Sequence, residues 1–207
     1  MARNPSRRSK HHKRKVDYRE LRTRILIVCE GAKTEPLYFR GFPQSKVVSV
    51  TVKGDGMNTD SLVESAAKRK RDEEHRGNPY NEVWCVFDRD SFSADKFNRA
   101  FAIAKKLEIR IAYSNQAFEL WYLLHFDFHT ASIERRRYAK LLDSKLGFKY
   151  RKNDPSMYGA LLQHQTVAIR NAENLLRHHG NTRFYENDPS TTVHRLVIRL
   201  NQLVDNG

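Results

Sequence analysis

Four apolar, β-rich runs alternate with helical patterns in the first half of this chain, and that alternation restricts it to a parallel α/β sheet. Arg24-Ile-Leu-Ile-Val-Cys29 is the first run, and Glu30-Gly31 stops it. A short helix is expected from about Glu35-Pro36, with Pro36 at the tolerated first helical position. Lys46 to Lys53 alternates and is β-branched, so it reads as the second strand, broken by Gly54-Asp55-Gly56. Ser61-x-x-Glu64 is a capping-box pattern that opens a helix through about Asp72. The third strand spans Glu82 to Phe87. Ser93 can cap a helix from Ala94 to Lys106, where Phe97, Phe101 and Ala104 recur at helical spacing. The fourth strand is Glu108 to Tyr113.

No strand pattern follows. Gln116 to Phe126 reads as a very apolar helix, and Ile133–Leu146, Ser156–His178 and Pro189–Val204 as amphipathic ones. Asn-Asp-Pro-Ser occurs at Asn153 and again at Asn187, each time ahead of a helical pattern; Asp as N-cap with Pro at the first position explains both. The organisation expected is therefore a basic arm (residues 1–19), an α/β domain (20–130) and a helical C-terminal region (131–207) packed on it.

Acidic residues fall where such a sheet places its sites, outside the carboxyl ends of the strands. Glu30 follows the first strand. Asp88-Arg89-Asp90 follows the third, and two acids at i and i+2 on extended chain project to one side. A pair like this can share Mg²⁺, which takes one or two carboxylates plus water and phosphate oxygens; the tripeptide alone reads more readily as a polar turn, and its place at the exit of a buried strand favours the metal role. Glu119 sits in Gln116-Ala-Phe-Glu-Leu-Trp-Tyr-Leu-Leu-His-Phe126, apolar on nearly every face, and a buried carboxylate needs a metal, an ion pair or a helix dipole. Lys33 lies in the loop after Glu30 and can neutralise a phosphate. Ser114 and Asn115 can cap the next helix or bond a phosphate. His125, in the same apolar segment, reads more readily as a core histidine.

Charge points to the partner. The chain of 207 residues carries a formal net charge of +14, so a polyanion is the default ligand. Residues 1–24 hold ten Lys/Arg against Asp17 and Glu20. This arm, with Arg7, Arg8, Lys10, Lys13, Arg14 and Lys15, is expected to be disordered when unbound and to contact nucleic acid or simply to solubilise the protein. Further basic runs at Lys68–Arg71, Arg135–Arg137 and Lys149–Lys152 could line a groove, with Tyr138, Tyr150 and Tyr158 available for stacking. There is no apolar segment of a signal peptide, no run long enough to span a bilayer, and no zinc motif. The two cysteines lie inside predicted strands, which fits a reducing cytoplasm. Neither a Walker A loop nor a dinucleotide glycine motif is present.

Four blocks in order carry a resemblance. Ile25-Leu-Ile-Val-Cys-Glu-Gly-Ala-Lys-Thr-Glu-Pro-Leu-Tyr-Phe39, Val83-Trp-Cys-Val-Phe-Asp-Arg-Asp90, Ser114-Asn-Gln-Ala-Phe-Glu-Leu-Trp-Tyr-Leu-Leu-His-Phe126 and Asn187-Asp-Pro-Ser-Thr-Thr-Val-His194 are together similar to the RloB-like family, which itself resembles the Toprim superfamily. The resemblance implies a Toprim-like, mostly parallel sheet and a Mg²⁺- or Mn²⁺-dependent nuclease acting in bacterial phage defence, by abortive infection. It gives Glu30 an acid/base or metal role, Asp88 and Asp90 metal roles, and makes Glu119 the further family acid. A partner protein of the defence locus, of ATPase type, is also implied. Where the family often has Pro-Cys in the third block, this chain has Gln116-Ala117; Ser91-Phe92 after Asp90 is a second departure. The alternative is a nucleic-acid-binding or regulatory subunit with no turnover of its own.

Overall fold

The computed structural model describes residues 23–44, 48–54, 59–89, 93–180 and 184–205. The basic arm with its six named cations, and Asp90, lie outside the described residues. Five strands form one sheet in the order β2-β1-β3-β4-β5. They are β1 (Thr23–Cys29), β2 (Val48–Gly54), β3 (Glu82–Asp88), β4 (Arg110–Asn115) and β5 (Ser190–Thr191). The first four are parallel and β5 is antiparallel to β4.

Both faces of this sheet are covered, as parallel sheets require. The strands are accordingly apolar at consecutive positions, and successive side chains part to opposite sides. Leu26, Val28, Val83, Cys85 and Phe87 pack with helices α2 (Thr59–His75) and α3 (Ala94–Lys106) on one face. Ile25, Ile27, Cys29, Trp84 and Val86 face the other way, into a larger core. That core holds α1 (Thr34–Arg40), α4 (Glu119–Leu123), α5 (Tyr138–Leu146), α6 (Met157–Leu161), α7 (Gln165–His178) and α8 (Val193–Asp205). The C-terminal helices thus share one hydrophobic cluster with β1 and β3. Cys29 and Cys85 are both buried free thiols, one on each face.

Ser93 Oγ accepts from the Lys96 amide and caps α3 as its sequence predicts. Three expectations fail. Strand β5 lies beyond Gln116, where no strand was expected, because two residues give no periodicity to read. The second Asn-Asp-Pro-Ser does not start a helix: after a cis Asp188-Pro189 bond, Ser190 and Thr191 pair with Asn115 and Ser114, and α8 starts only at Val193. The first copy behaves differently, with Asp154 Oδ1 accepting from the Ser156 amide and hydroxyl ahead of α6. The apolar 116–126 segment also holds a shorter helix than expected, five residues at Glu119–Leu123.

Candidate active site

In the order β2-β1-β3-β4, the chain leaves β1 toward one side and returns through β3 on the other, so the carboxyl ends of β1 and β3 flank a topological switch point. Glu30 and Asp88 stand at that point. The Glu30 amide donates to Val86 O at 2.8 Å, continuing the β1–β3 ladder one residue past the strand. The Asp88 amide donates to Glu30 Oε2 at 3.1 Å. Arg89 turns the other way, with its guanidinium 3.9 Å from the Tyr185 ring centroid.

Two more acids join them. Glu35, in the first turn of α1, is buried and its carboxylate folds back over Gly31. A Cβ built on Gly31 would come within 2.7 Å of the Glu35 carboxyl carbon, so this loop closes because residue 31 has no side chain. Glu119, the first residue of α4, is also buried; its Oε1 accepts from the Tyr150 hydroxyl at 3.1 Å and lies 3.5 Å from Lys152 Nζ. Arg135 lies 3.4 Å from Asp88 Oδ2. Asp88 Oδ1 is buried with no hydrogen-bond partner.

The electrostatics record this crowding. Burial pushes the Asp88 carboxyl well above the usual range, and Glu35, Glu119 and Glu30 add to the effect while Arg135 opposes it. Glu35 is raised for the same first reason, burial, with Glu119 adding to it and backbone amides at Glu35 and Gly31 opposing it. Three tyrosines surround the acids. Tyr122, Tyr138 and Tyr150 are all pushed up, chiefly by burial and then by acidic and tyrosyl neighbours, so their hydroxyls remain protonated donors. Tyr138 and Tyr150 are buried and Tyr158 nearly so, which removes all three as exposed stacking surfaces.

The residues expected at the site divide accordingly. Glu30, Asp88 and Glu119 converge. Lys33 is exposed in the loop before α1, where its carbonyl accepts from the Leu37 amide. Ser114 and Asn115 are buried in the β4–β5 junction: Ser114 Oγ bonds Thr191 Oγ1 at 3.0 Å and Asn115 Nδ2 donates to Asn187 O at 2.9 Å. Their side chains therefore fasten the sheet edge. His125 is a core residue, its Nδ1 2.9 Å from Trp121 O and its pKa lowered to about 4 by burial. Among the described residues, no three His, Cys, Asp or Glu side chains form a ready-made cation site.

The sequence offers Arg135, Lys152 and Tyr150 only as groove-lining or stacking residues, not as neighbours of the acids, and does not single out Glu35 as a site residue. For Glu35 a signal existed, since Glu35-Pro-Leu-Tyr-Phe39 is as apolar as the segment that marks Glu119. Arg135 and Lys152 give no local signal, because only the tertiary fold brings them to acids from the first 119 residues.

The RloB-like protein family matches residues 25–200. The chain belongs to that family. The match begins at the second residue after the start of β1 and runs well into α8, so the RloB-like region takes in every acid and both cations of the cluster. No curated protein and no solved structure matches the chain.

Proposed function

We propose that this RloB-like protein is a Toprim-like, Mg²⁺-dependent nuclease that cleaves nucleic-acid phosphodiesters in bacterial defence against phage. The observation that carries the reading is the buried, partnerless Asp88 Oδ1 inside a group of four carboxylates at the switch point of the sheet. Mutual repulsion and desolvation of this kind are relieved by a hard cation, which suits carboxylate oxygen donors. Glu30 and Asp88, with Asp90 next along the chain, would hold it; Mn²⁺ could replace Mg²⁺. The bound ion would polarise the phosphoryl group and support the developing negative charge.

The protein groups divide the remaining work. Arg135, beside Asp88, and Lys152, beside Glu119, neutralise phosphate oxygens as charge builds on them. Glu35 and Glu119 are placed to take or return a proton, their environment favouring the neutral form at Glu35. The Tyr150 hydroxyl fixes Glu119. The phage-defence setting follows from the family's associations and not from the geometry.

A second reading has one observation in its favour. The described carboxylates do not form a closed cation site as they stand, which suits a nucleic-acid-binding subunit whose acids are structural. Asp88→Asn separates the two. Under the nuclease reading this substitution abolishes Mg²⁺-dependent cleavage of a mixed RNA and DNA substrate while thermal melting shows an intact fold. Full cleavage by a stably folded Asp88→Asn protein would sink that reading.

A further inference from the structure

Helix α5 ends at Gly147, whose φ of 73° and ψ of 2° turn the chain back on itself in a conformation costly for any other residue. The next five residues, Phe148-Lys-Tyr-Arg-Lys152, form a strap pinned at three points. The Tyr150 amide donates to Asp143 Oδ1 at 2.6 Å, which ties the strap to α5. The Tyr150 hydroxyl bonds Glu119 in the acid cluster. Thr34 Oγ1 donates to Lys152 O at 2.8 Å, which ties its far end to the loop after β1. Only Tyr150 is buried; Phe148 is 39 % exposed, and Lys149, Arg151 and Lys152 are exposed. An exposed phenyl ring next to a run of cations, on backbone held this firmly, is not explained by the core.

The geometry points to the 148–152 strap as the docking rim for a single-stranded nucleic acid, which would carry its phosphates past Lys149 and Arg151 to Lys152 and stack one base on Phe148. The inference rests on reading the acid cluster as a phosphodiester site, since the same segment delivers Lys152 to Glu119. Charge complementarity favours a polyanion. The aromatic ring favours unpaired bases, whose faces are free to stack, over a duplex. The other basic runs differ in place or pairing. Lys68–Arg71 lies on α2, which packs on the opposite face of the sheet; Arg136 pairs with Glu134.

The test is binding without turnover. Fluorescence anisotropy with a labelled, mixed-sequence oligonucleotide of about 20 nucleotides, in EDTA and in Ca²⁺, compares the full chain with the triple variant Phe148→Ser/Lys149→Glu/Arg151→Glu. All three residues are exposed, so the melting temperature should hold. The triple variant should bind single strands at least about ten-fold more weakly and show a shallower salt dependence, by about one to two in the log–log slope. Charge reversal at Lys68 and Arg71 should cost much less. Wild-type affinity in a folded triple variant would overturn the proposal, and so would a loss confined to duplex ligands. Asp88→Asn keeps the two ideas apart: if it binds normally but neither it nor the wild type cleaves, the nuclease reading fails while the docking rim stands.

Discussion

Replacing Asp88 by Asn should stabilise the protein while ending the nuclease activity proposed for it. In the metal-free fold its carboxyl is held neutral-leaning by burial and by three neighbouring acids, against one ion pair with Arg135. Asp88→Asn keeps the shape and removes the charge, so in EDTA the variant should melt at a higher temperature than wild type. A melt that falls instead would make Asp88 a structural ion-pair partner. Glu35→Gln should behave alike, raising the metal-free melt and lowering turnover, because burial and the nearby Glu119 disfavour its charge. Gly31→Ala acts on the same carboxylate from outside. The new methyl needs the space of the Glu35 carboxyl group, so turnover should fall more than stability, and a paired nuclease assay and thermal melt would show which falls first.

At the scale of elements, the β4–β5 junction is the contact most worth breaking. Tyr113 O accepts from both the Thr192 amide and Thr191 Oγ1, each at 2.9 Å, and Asn115 Nδ2 reaches Asn187 O. Asn115→Ala should destabilise the fold by about 0.5–1.5 kcal/mol, since it removes the buried bond to Asn187 O, which then keeps only the Ser190 hydroxyl as donor; urea denaturation would measure this. The four parallel strands and α3 were legible because a buried parallel strand is a continuous apolar run and a capped helix announces its start at Ser93. Strand β5 was not, because two residues of edge pairing carry no period and the preceding Asp-Pro imitates a helix start. Glu30, Asp88 and Glu119 were legible for one physical reason: an acid at the end of, or within, an apolar segment must have compensation. The cations that supply part of it, Arg135 and Lys152, come from exposed polar stretches where every basic residue looks alike.

Over the whole molecule, acidity acts through two sets of groups with opposite signs. His125 and His194 are both lowered to about 4, chiefly by burial, so they stay neutral in the fold while the unfolded chain takes up protons near 6.5. Stability from this source is fully present above about pH 6.5 and is lost as pH falls toward 4, on the order of 1–2 kcal/mol per histidine by pH 5. Asp88 and Glu35 work the other way in the metal-free protein. Their raised values mean stability present at low pH and lost as pH rises through them. The stabilisation by Mg²⁺, read as the difference in melting temperature between Mg²⁺ and EDTA, should therefore widen as pH rises. His125→Gln should flatten the acid limb without changing that difference.

The acids at 30, 35, 88 and 119 precede both cations in the chain, and the sheet edge beside them is sealed only by residues 190–191, with α8 completing the core behind it. A ribosome making this protein therefore releases all four carboxylates long before it releases the segments that hold them in place. Until the final helix emerges, the nascent chain has its charges but not its enclosure. Under the nuclease reading, the order of synthesis itself defers any cleavage until the segments that enclose the acids have been made.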